Sequence, residues 1–147
     1  ILRCLVGSEM CIRDSHGASQ ELRNRLMPIN RKYPFPEVIQ AADAYEKSNG
    51  RQVMYEYILL AGINDRPEDA RNLADALEHK ECVINLIPAN PVPEKGFERP
   101  SDRAVDRFFQ MLKKRRLNVT VRKEMGKDIN AACGQLRASA LKEAQNQ

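Results

Sequence analysis

Apolar residues along the chain fall into short continuous runs separated by stretches with helical spacing. The runs are residues 52–60 (QVMYEYILL), 82–87 (CVINLI) and 117–121 (LNVTV), and each is rich in β-branched or aromatic residues. Such runs predict buried strands. Because 52–60 is apolar at nearly every position, it is typical of a parallel strand covered on both faces. We therefore expect three buried, parallel strands.

The stretches between these runs carry helix start and stop signals. A first helix is expected to begin at Ser19 and to end before Pro28, and a second to run from Pro34 to Asn49-Gly50. Asp65 is expected to cap a third helix, with Glu68 completing a capping box. Ser101 is expected to cap a fourth helix, and a last one should start near Asp128 and contain Cys133.

Alternation of strands and helices predicts an α/β architecture with a parallel sheet. Three strands cannot close an eight-stranded barrel, so the chain resembles the later part of a larger unit. Ligands of such folds bind where strands end and helices begin. Segments 62–65, 88–93 and 123–128 follow the predicted strands, and Cys133 lies just beyond the last. Candidate chemistry therefore falls on one edge of the sheet.

Composition is that of a single water-soluble domain. The chain has 147 residues, of which 42% are hydrophobic and 30% charged, and it contains no apolar run long enough to cross a membrane. Its four cysteines match neither a zinc motif nor a disulfide framework, which favours a reducing cytoplasm.

Positive charge is concentrated in one stretch of the chain. Residues 95–127 contain eleven Lys and Arg against four acids, whereas the whole chain carries +4, so the remainder is net acidic. This stretch could hold the phosphates of a polyanion, or it could be a solvated helix face.

Four polar or nucleophilic residues stand out. Cys133 is either a small core residue or a nucleophile, and the nearby Lys123 and Lys127 would favour its thiolate. His16 is either a ligand contact or an ordinary loop histidine. Asn90 is either a turn residue or a donor to a bound small molecule. Glu56, inside an apolar strand, needs a partner if it is buried.

Four motifs in order resemble one enzyme family. HGASQELRNRLMPINRKYPF, YEYILLAGIND, NLIPANPVP and DINAACGQLR, within residues 16–147, are similar to the bacterial radical S-adenosylmethionine enzymes that methylate adenine in 23S rRNA, and in some tRNAs, at carbon 2. The resemblance implies a partial (β/α) barrel, of which this chain is the C-terminal part. It further implies two cofactors, S-adenosylmethionine and a [4Fe–4S] cluster.

The resemblance also implies roles for three residues. Cys133 matches the catalytic cysteine, which takes a methyl group from S-adenosylmethionine and transfers it to the adenine by a radical route. His16 and Asn90 match residues that contact S-adenosylmethionine. The implied partners are 23S rRNA, tRNA and an electron donor for the cluster, and the implied enzyme is a cytoplasmic monomer with no membrane association. The basic stretch 95–127 would help to hold RNA.

The chain departs from the family pattern at its start. The Cys-x3-Cys-x2-Cys cluster motif is absent from it, so no metal ligand is predicted here and this chain alone is expected to be inactive. Residues 1–15 look like translated sequencing-adaptor read-through, which predicts a non-native leader, unpacked or spuriously ordered, in which Cys4 and Cys11 have no role. Ser15 is not expected to be a ligand.

Two other functions remain open. A sister activity methylates carbon 8 of the same adenine and confers antibiotic resistance with the same cysteines and cofactors. A non-catalytic RNA-binding α/β module, with Cys133 as core filler, is the alternative from another class.

Overall fold

A computed structural model describes residues 11–92 and 96–122, in which parallel strands alternate with helices. The strands are β1 (Cys11–Asp14), β2 (Val53–Leu59), β3 (Cys82–Pro88) and β4 (Asn118–Val121). The helices are α1 (Gln20–Leu26), α2 (Phe35–Asn49), α3 (Pro67–Leu77) and α4 (Asp102–Lys114), with a 3-10 turn at Pro28–Arg31. This arrangement confirms the predicted α/β fold with a parallel sheet.

The strand order in the sheet is the order along the chain, β1-β2-β3-β4, and every neighbouring pair is parallel. Crossovers between parallel strands are almost always right-handed, so sequential order places the connecting helices on one face of the sheet. The core lies between that face and the helices. It includes Tyr57, Ile84 and Leu86 from the strands with Leu73 and Phe108 from the helices.

The other face of the sheet is not covered by the described helices. Residues of β2 alternate between fully buried and half-buried positions, with Tyr55 and Tyr57 on the helix side and Glu56 and Ile58 on the other. The expectation that this strand is covered on both faces is therefore wrong for the described residues. Met54 and Ile58 are apolar although they lie on the less buried face, so the sequence did not show the alternation of buried and half-buried positions.

Helix ends follow the sequence signals with one correction. Ser19 and Ser101 cap α1 and α4 through their side-chain oxygens, and Gly50 ends α2 in the left-handed conformation at φ 63°. Asp65, however, does not cap α3, because Pro67 occupies the first helical position and makes Arg66 the cap residue. Asp69, not Glu68, accepts from the Arg66 N–H at 3.1 Å.

A fourth strand, β1, was not predicted. Its backbone pairs in register with β2, Cys11 opposite Val53 and Asp14 opposite Glu56. Residues 11–14 are therefore part of the sheet, which excludes the unpacked alternative for them, while the non-native origin of residues 1–15 stays a prediction. The expected helix from Asp128 lies outside the described residues.

Within residues 11–92 and 96–122, no helix combines the length and the apolar character that crossing a lipid bilayer would require.

Candidate functional site

The carboxyl ends of the parallel strands form one edge of the sheet, as expected from the sequence. His16 follows β1, the loop 60–66 follows β2 and Asn90 follows β3. β1 and β3 are two strand spacings apart, which puts their ends roughly 10 Å from each other. His16 and Asn90 are thus on the same edge, on either side of the β2 loop. Cys133, the third predicted site residue, lies outside the described residues.

His16 has a backbone conformation that non-glycine residues rarely adopt, with φ 24°. A short turn surrounds it, in which the Gly17 N–H donates to the Ser15 carbonyl. Its imidazole Nδ1 accepts from the Ile58 N–H at 3.1 Å. Because a backbone N–H can only donate, Nδ1 must be unprotonated, and the proton of the neutral ring is on Nε2. The sheet therefore fixes the His16 tautomer.

Asn64 joins the turn at His16 to the end of β2. Its side chain is fully buried. Its amide nitrogen donates to the carbonyls of His16 at 2.9 Å and Ile58 at 2.6 Å, and its Oδ1 accepts from the Leu60 N–H at 2.7 Å. The Tyr57 hydroxyl donates to the Asn64 backbone carbonyl at 3.0 Å. All four contacts tie the site edge to the core.

Arg23 supports the same turn from the side of α1. Although charged, it is 2% exposed. Its guanidinium donates to the Ser15 carbonyl at 2.6 Å and to Asn30 Oδ1 at 2.8 Å, and it stacks 4.5 Å from the Phe35 ring centroid. Directional donors and a planar group suit arginine, not lysine, to this position. Arg23 therefore connects the residue before His16 to the start of α2.

Gly17 allows this close approach. A Cβ at this position would lie 3.2 Å from the Leu22 side chain and 3.3 Å from that of Arg23. Side chains packed that tightly would have to move, so a larger residue would push the His16 turn away from α1.

Asn90 and Ser15 differ in accessibility. Asn90 is exposed, as a ligand contact on an open edge would be, and the preceding residue Ala89 is held to β2 by an N–H donated to the Leu59 carbonyl at 2.9 Å. Ser15 is fully buried, and its hydroxyl donates to the Glu56 carbonyl at 2.9 Å. The Ser15 hydroxyl is therefore engaged with β2, and that Ser15 is not a ligand stays a prediction.

Polar residues cross the uncovered face of the sheet in one row. Glu56 is in register with Asn85, and Asn85 with Thr120. The Thr120 hydroxyl lies 3.1 Å from Asn85 Oδ1. Glu56 is half-buried on this open face, so its carboxylate is not sealed in the core. The row offers both hydrogen-bond donors and acceptors to a molecule that lies against the sheet.

Cys82 faces the opposite side of the sheet and is part of the core. Burial, and to a smaller extent the negative charge of Glu46, raises the pKa of its thiol to about 11. The thiolate is the form that acts as a nucleophile or metal ligand, so a buried thiol with a raised pKa is poorly suited to either role. Among the cysteines whose surroundings are described, Cys82 is thus structural.

The raised pKa predicts a loss of stability at alkaline pH. Unfolded Cys82 ionises near its ordinary pKa of 9.0, whereas the folded thiol stays neutral to about 11, so protonation favours the folded state between these values. The free energy of unfolding of the wild type, relative to Cys82→Ala, should fall by about 2 kcal/mol between pH 8 and pH 11. Urea unfolding of both proteins in reductant measures it, and a pH-independent difference would contradict the predicted shift.

The positive charges of the basic stretch 95–127 do not all lie near the site edge in the folded chain. Lys113, Lys114 and Arg116 are exposed at the end of α4, which lies about 20 Å from its start at the site edge. Arg115 forms ion pairs with Asp75 and Glu78. Much of the predicted phosphate-binding charge is therefore a solvated helix end that complements the helix dipole. Arg122, which follows β4, is exposed near the site edge.

The described residues do not fit an iron–sulfur cluster. No group of three or more His, Cys, Asp or Glu side chains in residues 11–92 and 96–122 is arranged to hold a metal ion. The one cysteine with described surroundings, Cys82, is a protonated core residue.

Three site residues were missed by sequence reasoning: Arg23, Asn30 and Asn64. Asn64 was in a segment expected at the site edge, so its position was predicted but its burial was not. Asn30 lies two residues after Pro28, in a short segment where proline and asparagine normally indicate a turn. Arg23 carried no signal, because an arginine on a short helix is usually exposed.

Comparison with known proteins gives consistent relatives. The chain is 50% identical over 122 residues to the "Probable dual-specificity RNA methyltransferase RlmN" of Desulforudis audaxviator, covering 83% of this chain and 38% of that protein. It is 48% identical over 123 residues to the protein of the same name from Bacillus subtilis, covering 84% and 34%. The chain thus spans little more than a third of the relatives it matches. No protein-family model matches the chain.

Solved structures agree with the fold and the relatives. A radical SAM methyltransferase from Sphaerobacter thermophilus superposes with a TM-score of 0.79 at 44% identity, covering 84% of this chain and 36% of that one. A domain of pyruvate-formate lyase-activating enzyme from Bacteroides vulgatus superposes with a TM-score of 0.63 at 16% identity, which supports the fold alone. By sequence and structure, the chain is homologous to part of the proteins named RlmN and has the fold of part of a radical SAM methyltransferase.

Proposed function

We propose that this chain is the C-terminal part of a cytoplasmic radical S-adenosylmethionine enzyme that methylates carbon 2 of an adenine in 23S rRNA, with tRNA as a second substrate. The observation that carries the proposal is identity of about 50% to proteins named dual-specificity RNA methyltransferase RlmN. Chemistry at the site edge supports it, because His16 and Asn90 lie at the carboxyl ends of parallel strands, where ligands of such folds bind.

S-adenosylmethionine would be held at this edge by His16 and Asn90. It would supply the transferable methyl group and, with one electron from the [4Fe–4S] cluster of the complete protein, the radical. The imidazole offers a fixed hydrogen-bond donor at Nε2, since Nδ1 is occupied by the Ile58 N–H. The exposed amide of Asn90 offers both a donor and an acceptor. These are the polar groups that orient a small molecule in a pocket.

The target adenine would lie against the uncovered face of the sheet. Glu56 and Asn85 in the polar row can accept from and donate to a base edge, and asparagine commonly pairs with adenine. Cys133 would act as the methyl-carrying nucleophile. This role rests on its match to the family cysteine and on the lysines before it, which would favour the thiolate.

Nucleoside mass spectrometry tests this proposal directly. The complete gene that encodes this chain is introduced into a strain that lacks adenine carbon-2 methylation, and 23S rRNA and tRNA are digested to nucleosides. We expect 2-methyladenosine to be restored. Recovery of 8-methyladenosine instead would assign the sister activity, and no methylated adenine at either carbon would favour the non-catalytic RNA-binding module.

Intact peptide mass adds a second measurement on the same protein. The peptide containing Cys133 should carry one additional methyl group when the complete protein is purified from active cells. An unmodified peptide from cells that methylate their RNA would contradict the proposed role of this cysteine.

A further inference from the structure

We propose that Asn64 is the positioning residue of the site, which holds the His16 imidazole in one orientation and one tautomer at the carboxyl edge of the sheet. The orientation of the ring follows from the hydrogen bonds alone. Its purpose, presenting Nε2 to S-adenosylmethionine, rests on the proposed function. Asn64 itself does not reach the ligand, because its side chain is fully buried.

The neighbours of Asn64 fix the orientation of its amide. The Leu60 N–H can only donate, so the atom facing it at 2.7 Å must be the carbonyl oxygen. The carbonyls of His16 and Ile58 can only accept, so the NH₂ group must face them. One side chain therefore uses one acceptor and two donors for three backbone groups.

Few other side chains could take this place. Aspartate has an acceptor but no donor for the two carbonyls, serine has a single donor hydrogen, and glutamine is one methylene longer in a fully enclosed site. Unpaired buried carbonyls are costly, so the loop would rearrange to reach water. The chemistry of the position therefore specifies asparagine.

Ile58 links Asn64 to the His16 imidazole, because its backbone makes a hydrogen bond with each of them. Its carbonyl accepts from Asn64, and its N–H donates to His16 Nδ1. Asn64 also holds the carbonyl of His16, whose backbone is in an unfavourable region. Such backbone strain persists only where surrounding contacts over-determine it. Loss of Asn64 would release both the backbone and the ring of His16.

Imidazole NMR of the 147-residue chain tests the orientation. The chain has two histidines, so His79, which is exposed, is an internal reference. Above pH ~8, where ordinary histidines are neutral, long-range ¹H–¹⁵N spectra separate protonated from unprotonated ring nitrogens. Wild-type His16 should show an unprotonated Nδ1. Asn64→Asp should move its resonances toward tautomer-averaged values and leave those of His79 unchanged.

Two further variants separate positioning from folding. Asn72→Asp makes the same chemical change at an exposed position of α3 and should leave His16 unchanged. If Asn64→Asp does not fold, the His16 spectrum of Asn64→Ser tests the inference instead. Val105→Ala, which destabilises the core away from the His16 turn, is the control for a general loss of stability. Wild-type His16 resonances in a folded Asn64 variant, or equal shifts in Val105→Ala, would overturn the inference.

Ligand binding in the complete protein tests the purpose separately. Equilibrium dialysis with S-adenosylhomocysteine should show affinity reduced about tenfold or more by Asn64→Ser and unchanged by Asn72→Ser, since small misplacements of a contact group have large effects. If Asn64→Ser binds the ligand as tightly as the wild type although its His16 spectrum is altered, the orientation of His16 does not serve ligand binding, and that part of the inference is overturned. Absence of binding by the wild type would contradict the proposed function, while the NMR result would still decide the orientation.

Discussion

Cys133→Ala in the complete protein is expected to abolish adenine methylation while the protein remains folded. In the proposed function Cys133 carries the methyl group as a covalent intermediate, and removing such a nucleophile lowers turnover by roughly a thousandfold or more. Methylated adenosine in an in vitro reaction with 23S rRNA, measured by mass spectrometry, gives the rate. Circular dichroism and a thermal unfolding curve show that the fold is kept.

Cys82→Ala is the matched control, because it makes the same change at a thiol that burial keeps protonated. We expect it to retain methylation and to lose about 1 kcal/mol of stability as a core substitution. If Cys133→Ala instead keeps methylation and changes stability alone, Cys133 is core filler and the enzyme proposal for this chain fails.

Arg23→Ala is expected to give the largest stability change among the site residues, a loss of about 3 kcal/mol in the free energy of unfolding. The change removes the guanidinium that donates to Asn30 Oδ1 and to the buried Ser15 carbonyl, which keeps only the Gly17 N–H, and it removes the stacking on Phe35. Arg23→Lys should lose about half as much, since lysine keeps the charge but not the two directional donors. Urea unfolding monitored by circular dichroism measures both.

Arg25→Ala is the control for Arg23, on the same helix and exposed. It should change stability by no more than about 0.5 kcal/mol. Equal effects of the two substitutions would mean that α1 as a whole, not the guanidinium contacts, determines the loss. The Arg23 variants should also shift the His16 imidazole spectrum, because Arg23 holds the carbonyl that precedes His16.

Local signals predicted the helices and the strands they separate, but not every end. Proline, glycine and serine act within one or two residues, so Ser19, Gly50 and Ser101 were found where expected. The sequence signals for the start of α3 disagreed: Asp65 indicated a cap residue, whereas Pro67 favours the first helical position. The helix begins at Pro67, because the fixed φ of proline suits that position. β1 escaped prediction because its four residues, CIRD, include one β-branched side chain and two charged ones, whereas β4, also four residues long, has three β-branched side chains.

The sequence by itself determined the α/β class, the edge of the sheet on which Asn90 lies, and, through its motifs, the resemblance to one family. Those features depend on the periodicity of hydrophobic residues and on residue order, and both can be read directly from the sequence. Only the tertiary structure decided that β1 brings His16 to the same edge, that the described helices leave one sheet face uncovered, that Cys82 is a core residue, and that Arg23 and Asn64 hold the His16 turn. These features depend on contacts between residues that are far apart in the sequence, such as Asn64 and His16, which are 48 positions apart. Such contacts form only when the chain folds.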